Sequence, residues 1–168
     1  CEAVLHSFEP RPGDCVFIPA GTVHAIGAGL LVAEIQQSSD VTYRLFDWNR
    51  VGPDGRPRPL HVEVGVEAVT QLGPVDPVRR HATSDPAVTR LVTCDYFVLD
   101  EVSPVGSWRL GGDGRLHFLA VLKGSAHLRD SRSSDAVGPG GCVLVPASSG
   151  EQAMTVTDGT RLLRVTLP

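Results

Sequence analysis

The sequence predicts an all-β chain of the sandwich or barrel type, and three observations carry that prediction. The first is composition: 18 glycines and 13 prolines in 168 residues suit short strands joined by tight turns better than helices, which both residues interrupt. The second is patterning. Short β-rich runs succeed one another at 88–93, 96–102, 107–110, 117–123, 125–128, 142–146, 153–157 and 162–166. Turns such as GGDG at 111–114, LKGS at 122–125 and GPGG at 138–141 divide them, a density that sandwiches and barrels show. The third is an internal repeat. PGDCVFIPAGTVHAI at 12–26 aligns with PGGCVLVPASSGEQAM at 139–154, so two related β-domains are expected.

Composition also excludes whole classes of partner. A chain that is 42% hydrophobic and 20% charged has enough apolar material for a core and is not a disordered tract. The net charge of −4 is spread along the chain, with five basic and seven acidic residues in 1–60 and ten and twelve in 61–168. That pattern predicts neither nucleic acid nor an anionic membrane as a partner, and no apolar run approaches the ~20 residues of a membrane span. The four cysteines, Cys1, Cys15, Cys94 and Cys142, form no C-x-x-C pair, which argues against a zinc–thiolate site. Cys15 and Cys142 lie in apolar runs and are expected to be buried thiols, consistent with a reducing, cytoplasmic location. The chain begins at Cys1 with neither a basic n-region nor the apolar core of a signal peptide. It is read as an N-terminally truncated piece of something longer.

In chain order, residues 1–11 predict a short helix closing near Phe8, stopped by Pro10 and Pro12, with His6 at the surface. Strands are expected at 15–19, 24–26 and 30–36. In LLVAEIQQ, Glu34 shares a face with Leu30, Val32 and Gln36, and a carboxylate there is costly to bury unless it is paired, hydrogen-bonded or metal-associated. Residues 41–48 alternate as a strand does, setting Arg44 on a face with Phe46 and Trp48. An arginine so placed either snorkels to water or is presented to an anion, and the pattern does not choose. VGPDGRPRP at 51–59 reads as a connector, LHVEVGVEAVTQL at 60–72 fits strand or helix, and 73–86 forms a further loop. His61 and His81 are expected at the surface.

The densest chemistry lies in GDCVFIPAGTVHAIGA at 13–28. Its spacing (Gly, five residues, Pro, one, Gly, two, His) resembles the second conserved motif of the cupins, although Ala28 stands where that motif often carries Asn. An imidazole entering a barrel behind a Pro-x-Gly turn suits a metal ligand. In the second copy of the repeat, His24 corresponds to Glu151 and Gly21 to Ser148, so strand and turn are kept and the ligand is lost. His117 and His127 sit on separate strands and are not expected to restore a metal site.

Together with EIQQSSDVTYR at 34–44, this segment resembles the class I mannose-6-phosphate isomerases in their short bacterial cupin-type form, from about residue 8 to residue 69. EIQQSSDVTYR is the more specific part, since it is no general cupin signature. The resemblance implies an all-β cupin, or jelly-roll, architecture. Residues 1–58 would be the C-terminal half of an incomplete first barrel, 59–86 a connector with room for a helix, and 87–168 a second, cupin-like β-domain. It further implies a zinc-dependent aldose–ketose isomerase acting on a phosphorylated hexose. His24 matches the family's final metal ligand; the Gln-x-His pair and the Glu that complete the set belong upstream and are expected to precede Cys1. Glu34 matches a glutamate proposed for proton transfer, and Arg44 an arginine near the sugar phosphate and the reacting oxygens, with Asp40 and Arg50 in support. One histidine does not make a three-ligand catalytic zinc site, so this stretch alone is expected to bind zinc weakly or not at all and to be inactive, and its open half-barrel is expected to self-associate. The competing reading is a non-catalytic cupin-like module for sugar binding or assembly. A cupin dioxygenase is a poorer fit, because it gives EIQQSSDVTYR no role.

Overall fold

The alternation read from residue 87 onward forms as two antiparallel sheets. The computed structural model describes residues 2–70, 73–129 and 136–168, and the chain divides into two units, Cys1–Pro77 and Val78–Pro168. The second unit holds β1 (His81–Ala82), β2 (Val88–Thr93), β3 (Val98–Val102), β4 (Ser107–Leu110), β5 (His117–Lys123), β6 (Ala126–Leu128), β7 (Cys142–Val145), β8 (Gln152–Val156) and β9 (Arg161–Thr166). One sheet runs β1-β2-β3-β9-β5-β7, the other β4-β8-β6. The run expected at 96–102 starts only at Val98, because the preceding residues turn: Cys94 N–H donates to Phe97 O at 3.1 Å.

Register explains the core. Because side chains alternate across a strand, three rows cross one face of the larger sheet. Val88, Val102, Leu162 and Val121 make an apolar row; Arg90, Asp100, Arg164 and Leu119 make the next; Val98, Thr166, His117 and Val145 make a third. Apart from Val98, the apolar members meet Trp108, Leu110, Ala126 and Met154 of the smaller sheet in one cluster, where Val102 and Leu162 are wholly buried. Burying a Leu or Val side chain contributes about 1.5–3 kcal/mol, so this face holds the unit together. The charged row is tolerated because it is paired. Asp100, 1% exposed, accepts from Arg90 on one oxygen and from Arg164 Nη2 at 2.7 Å on the other. The Arg164 guanidinium in turn lies 5.5 Å from the centre of the Trp108 ring, whose Nε1–H donates to Asp85 at 3.0 Å. His117, 3% exposed, meets Asp113 through Nε2 at 2.9 Å, which is a structural arrangement within one turn and strand.

The first unit departs from expectation. The runs at 15–19, 24–26, 30–36 and 41–48 form none of the named strands, and the N-terminal helix expected to close near Phe8 is a 3-10 turn at Glu2–Val4. Alternation makes a backbone fit to be a strand, but ladder hydrogen bonds come from a neighbour, and the described residues bring none alongside these runs. The ambiguous 60–72 segment resolves as a helix, α1 (Val62–Glu67). Gly65 is its buried member, and a Cβ there would stand 2.5 Å from Leu45 Cδ2, so the missing side chain is what lets α1 lie against residues 43–45. Cys142 corrects a second expectation. It is exposed, because β7 is the edge strand and Cys142 occupies its outward phase; Cys15 is half-buried.

Candidate functional site

His24 leaves the Pro19–Gly21 turn with its ring exposed and its Nδ1 2.9 Å from the Thr22 carbonyl. A carbonyl only accepts, so Nδ1 carries a proton, and in the neutral ring Nε2 keeps its lone pair. That tautomer is the one a metal-ligating histidine uses, with the second ring nitrogen held by a backbone acceptor. Gly21 secures the turn: at φ +82° it adopts a conformation that suits glycine, and a Cβ would meet Thr70 Oγ1 at 2.2 Å. Thr70 also donates to Ala20 O at 3.2 Å, tying the turn to the residues after α1. Among the described residues no group of three or more His, Cys, Asp or Glu is arranged to hold a metal.

Glu34 is exposed. After it, Gln36, Gln37, Ser38, Ser39 and Asp40 line an open groove, the polar core of the EIQQSSDVTYR segment. No hydrogen bond or ion pair links His24, Glu34 and Arg44 to one another among the described residues.

Arg44 sits in a closely tied cluster. Its Nη1 donates to Pro59 O at 3.1 Å, its Nε lies 3.7 Å from Asp47 Oδ1, and its backbone N–H donates to His61 Nδ1 at 3.1 Å. Asp47, 8% exposed, is gripped by Arg58 through Nε to Oδ2 at 2.7 Å and through Nη2 to Oδ1. The Arg58 hydrogen bond holds the Asp47 carboxyl below its ordinary value, burial opposes this, and the charges of Arg58, Arg44 and Arg50 reinforce it. These arginines therefore favour the ionised form of Asp47. Strand alternation would put residues 44 and 47 on opposite faces. A bend at Leu45 and a turn in which Trp48 (φ 49°) and Asn49 (φ 54°) are left-handed break the alternation and bring them together. Arg44 is half-buried and held by these contacts.

Sequence reading missed three members of this cluster. His61, expected at the surface, is half-buried, an acceptor for Arg44, and an edge-on neighbour of Tyr43 at 6.3 Å. Asp47 and Arg58 were absorbed into a strand and a connector. The available signal was charge: residues 44–61 hold four arginines against two aspartates in a chain of net −4. Counting by halves hides this surplus.

No family model matches the chain. Mannose-6-phosphate isomerase ManA of Bacillus subtilis is 32% identical over 158 residues, covering 89% of this chain and 48% of that protein. Mannose-6-phosphate isomerase of Streptococcus mutans is 30% identical over 151 residues, 85% of this chain and 46% of that protein. The chain thus spans about half the length of the curated relatives it matches. Among solved structures, the mannose 6-phosphate isomerase from Bacillus subtilis superposes with a TM-score of 0.63 at 25% identity over 77% of this chain and 41% of that one. A phosphomannose isomerase variant from Salmonella typhimurium, with a TM-score of 0.51 at 18% identity over 65% of this chain and 29% of that one, shares the fold alone. The all-β, cupin-type architecture expected from the sequence is therefore the observed one. By sequence and by fold, this chain is a relative of the mannose-6-phosphate isomerases, similar along most of its own length to about half of theirs.

Proposed function

We propose that the chain is part of a zinc-dependent mannose-6-phosphate isomerase, interconverting mannose 6-phosphate and fructose 6-phosphate. The observation that carries the reading is the contact of His24 Nδ1 with the Thr22 carbonyl, which in the neutral ring leaves the Nε2 lone pair to a metal, in a chain whose relatives bear that name. Aldose–ketose isomerisation moves a proton between C1 and C2, which needs a base beside the carbonyl and positive charge near the oxygens. Glu34 is assigned the proton transfer, and Arg44 the charge. Zinc, when bound, polarises the substrate oxygens, with His24 as one ligand and the remaining ligands supplied from outside these 168 residues.

The chain by itself accordingly binds zinc weakly and does not turn over. Stoichiometric zinc by elemental analysis, or isomerase turnover on the chain alone, would overturn that part of the reading. Turnover of mannose 6-phosphate by a longer protein that includes these residues supports the activity; its absence there favours a non-catalytic sugar-binding or assembly module. Exposed apolar side chains of the first unit, among them Ile26, Leu31, Val32 and Val41, support self-association, since patches of this kind mark interaction surfaces. Light scattering that reports a strict monomer would count against it. The thiols of Cys94 and Cys142, free among the described residues, support a reducing, cytoplasmic location.

A further inference from the structure

The larger sheet of the second unit ends in two edges that differ in kind. At one end, β1 is two residues long, follows directly on Arg79 and Arg80, and sets His81 opposite Arg90. Short length and repeated positive charge keep an edge from pairing with a copy of itself. At the other end, β7 carries no charge. It lies within residues 136–150, AVGPGGCVLVPASSG, which hold no charged side chain in a chain that is 20% charged.

The inward phase of β7 is anchored, since Val145 is 1% exposed and Val143 packs against the core cluster. Its outward phase is open. Leu99, Val165, Phe118 and Leu144 form one row across the outer face, and exposure rises from 7% at Leu99 to 57% at Leu144. The neighbouring row of Leu163 and Ala120 ends at the exposed Cys142. The backbone is open on the same edge. Gly141 O accepts the Val121 N–H at 3.0 Å and so faces β5. Backbone groups alternate in direction along a strand, so those of Cys142 and Leu144 point away from β5. Among the described residues no strand is paired on that side.

We propose that β7 pairs antiparallel with β7 of a second copy, about a two-fold axis at Val143, so that the larger sheet continues from one copy into the other. A second copy fits because self-pairing sets each charge beside its own image, and here there is none to repel. The register follows from the backbone. Directly opposed residues share a face, so the axis passes through Val143 or Leu144. With the axis at Val143, Cys142 of each copy faces Leu144 of the other, and every outward N–H and C=O of these residues finds a partner. With the axis at Leu144, Cys142 would face Pro146, which has no N–H, and the Cys142 carbonyl would be left over. The surface lies wholly in the second unit, and the proposal does not rest on the isomerase reading.

The test is disulfide trapping of the 168-residue chain at about 0.5 mM, since so small an interface binds weakly. Copper–phenanthroline is the oxidant, and the dimer is read on a non-reducing gel. Leu144→Cys sets a thiol opposite Cys142 of the second copy, within the reach of a disulfide. It should be trapped roughly tenfold or more faster than Val105→Cys, because thiols at that exposed loop position meet only by collision. Adding Cys142→Ser to Leu144→Cys should return the rate to that of the control. Trapping of Leu144→Cys no faster than the control overturns the pairing, and trapping that survives Cys142→Ser overturns the register on which it rests. Light scattering at the same concentration reads the pairing without chemistry. Leu144→Lys should lower the average mass from that of wild type while its near-ultraviolet circular dichroism is unchanged. A monomeric wild type, or a mass lowered by Leu31→Lys in the first unit and not by Leu144→Lys, would overturn the proposal.

Discussion

Arg44 and His61 are joined in both directions. The His61 N–H donates to the Arg44 carbonyl at 2.8 Å, and the Arg44 N–H donates to His61 Nδ1 at 3.1 Å. Accepting at Nδ1 sets the proton of the neutral ring on Nε2. Residues 17 apart in sequence thereby close the segment that presents Arg44, Arg50 and Arg58, and α1 begins directly after the clasp.

Removing the clasp should loosen the segment without unfolding the chain. His61→Ala leaves the half-buried Arg44 N–H to find water, at a cost of about 1 kcal/mol. A fall of a few degrees in melting temperature is expected.

In a longer protein that shows isomerase turnover, Glu34→Gln and Arg44→Ala should each depress kcat/KM, Glu34→Gln by about 100-fold or more if it carries the proton. Near-normal rates in both would remove the proposed assignments.

The Arg90–Asp100–Arg164 row predicts a stability effect in the second unit. Asp100→Ala strands two arginines whose side chains are 35% and 18% exposed. The expected cost is roughly 3 kcal/mol, at the low end for a broken buried pair because both cations retain some water. Urea unfolding followed through Trp108, whose ring lies under Arg164, reads it directly.

Acid should weaken the outer face of the same sheet. Burial pushes the Glu101 carboxyl up, but Arg161 and Arg80 together outweigh it and hold the group below its usual 4.5. A carboxyl lowered in the folded state contributes stability above its unfolded value and loses it as pH falls through the folded one. Wild type should therefore exceed Glu101→Gln in urea midpoint near neutral pH, and the gap should close as pH drops below about 4. A gap that is constant from neutral pH to about pH 3 would show that Glu101 acts by packing alone.

Gly124→Ala should cost about 2 kcal/mol, combining a left-handed backbone penalty with overpacking. Gly124 has φ +75°, and a Cβ would sit 2.3 Å from Oγ1 of the buried Thr160. That hydroxyl donates to Thr157 O at 2.7 Å, so it has little freedom to withdraw. Thermal melting of the variant checks the magnitude.

Local pattern by itself determined the all-β class, the strand positions of the second unit to within a residue or two in most cases, and the motif around His24. Those are properties of short runs: a period of two, a turn residue, a spacing. Tertiary structure decided whether such a run becomes a strand. The two copies of the internal repeat show this, because Cys142–Val145 pairs with β5 from His117 to Ala120, while residues 15–19 of the first copy form no named strand. The same holds for the site. Arginine-rich composition was legible, but the meeting of Arg44, Asp47 and Arg58 depends on a bend, a left-handed turn and a contact between residues 11 apart. Periodicity carries the phase of a backbone; a ladder partner and a carboxylate that gathers cations are long-range facts, and only the folded chain brings them within reach.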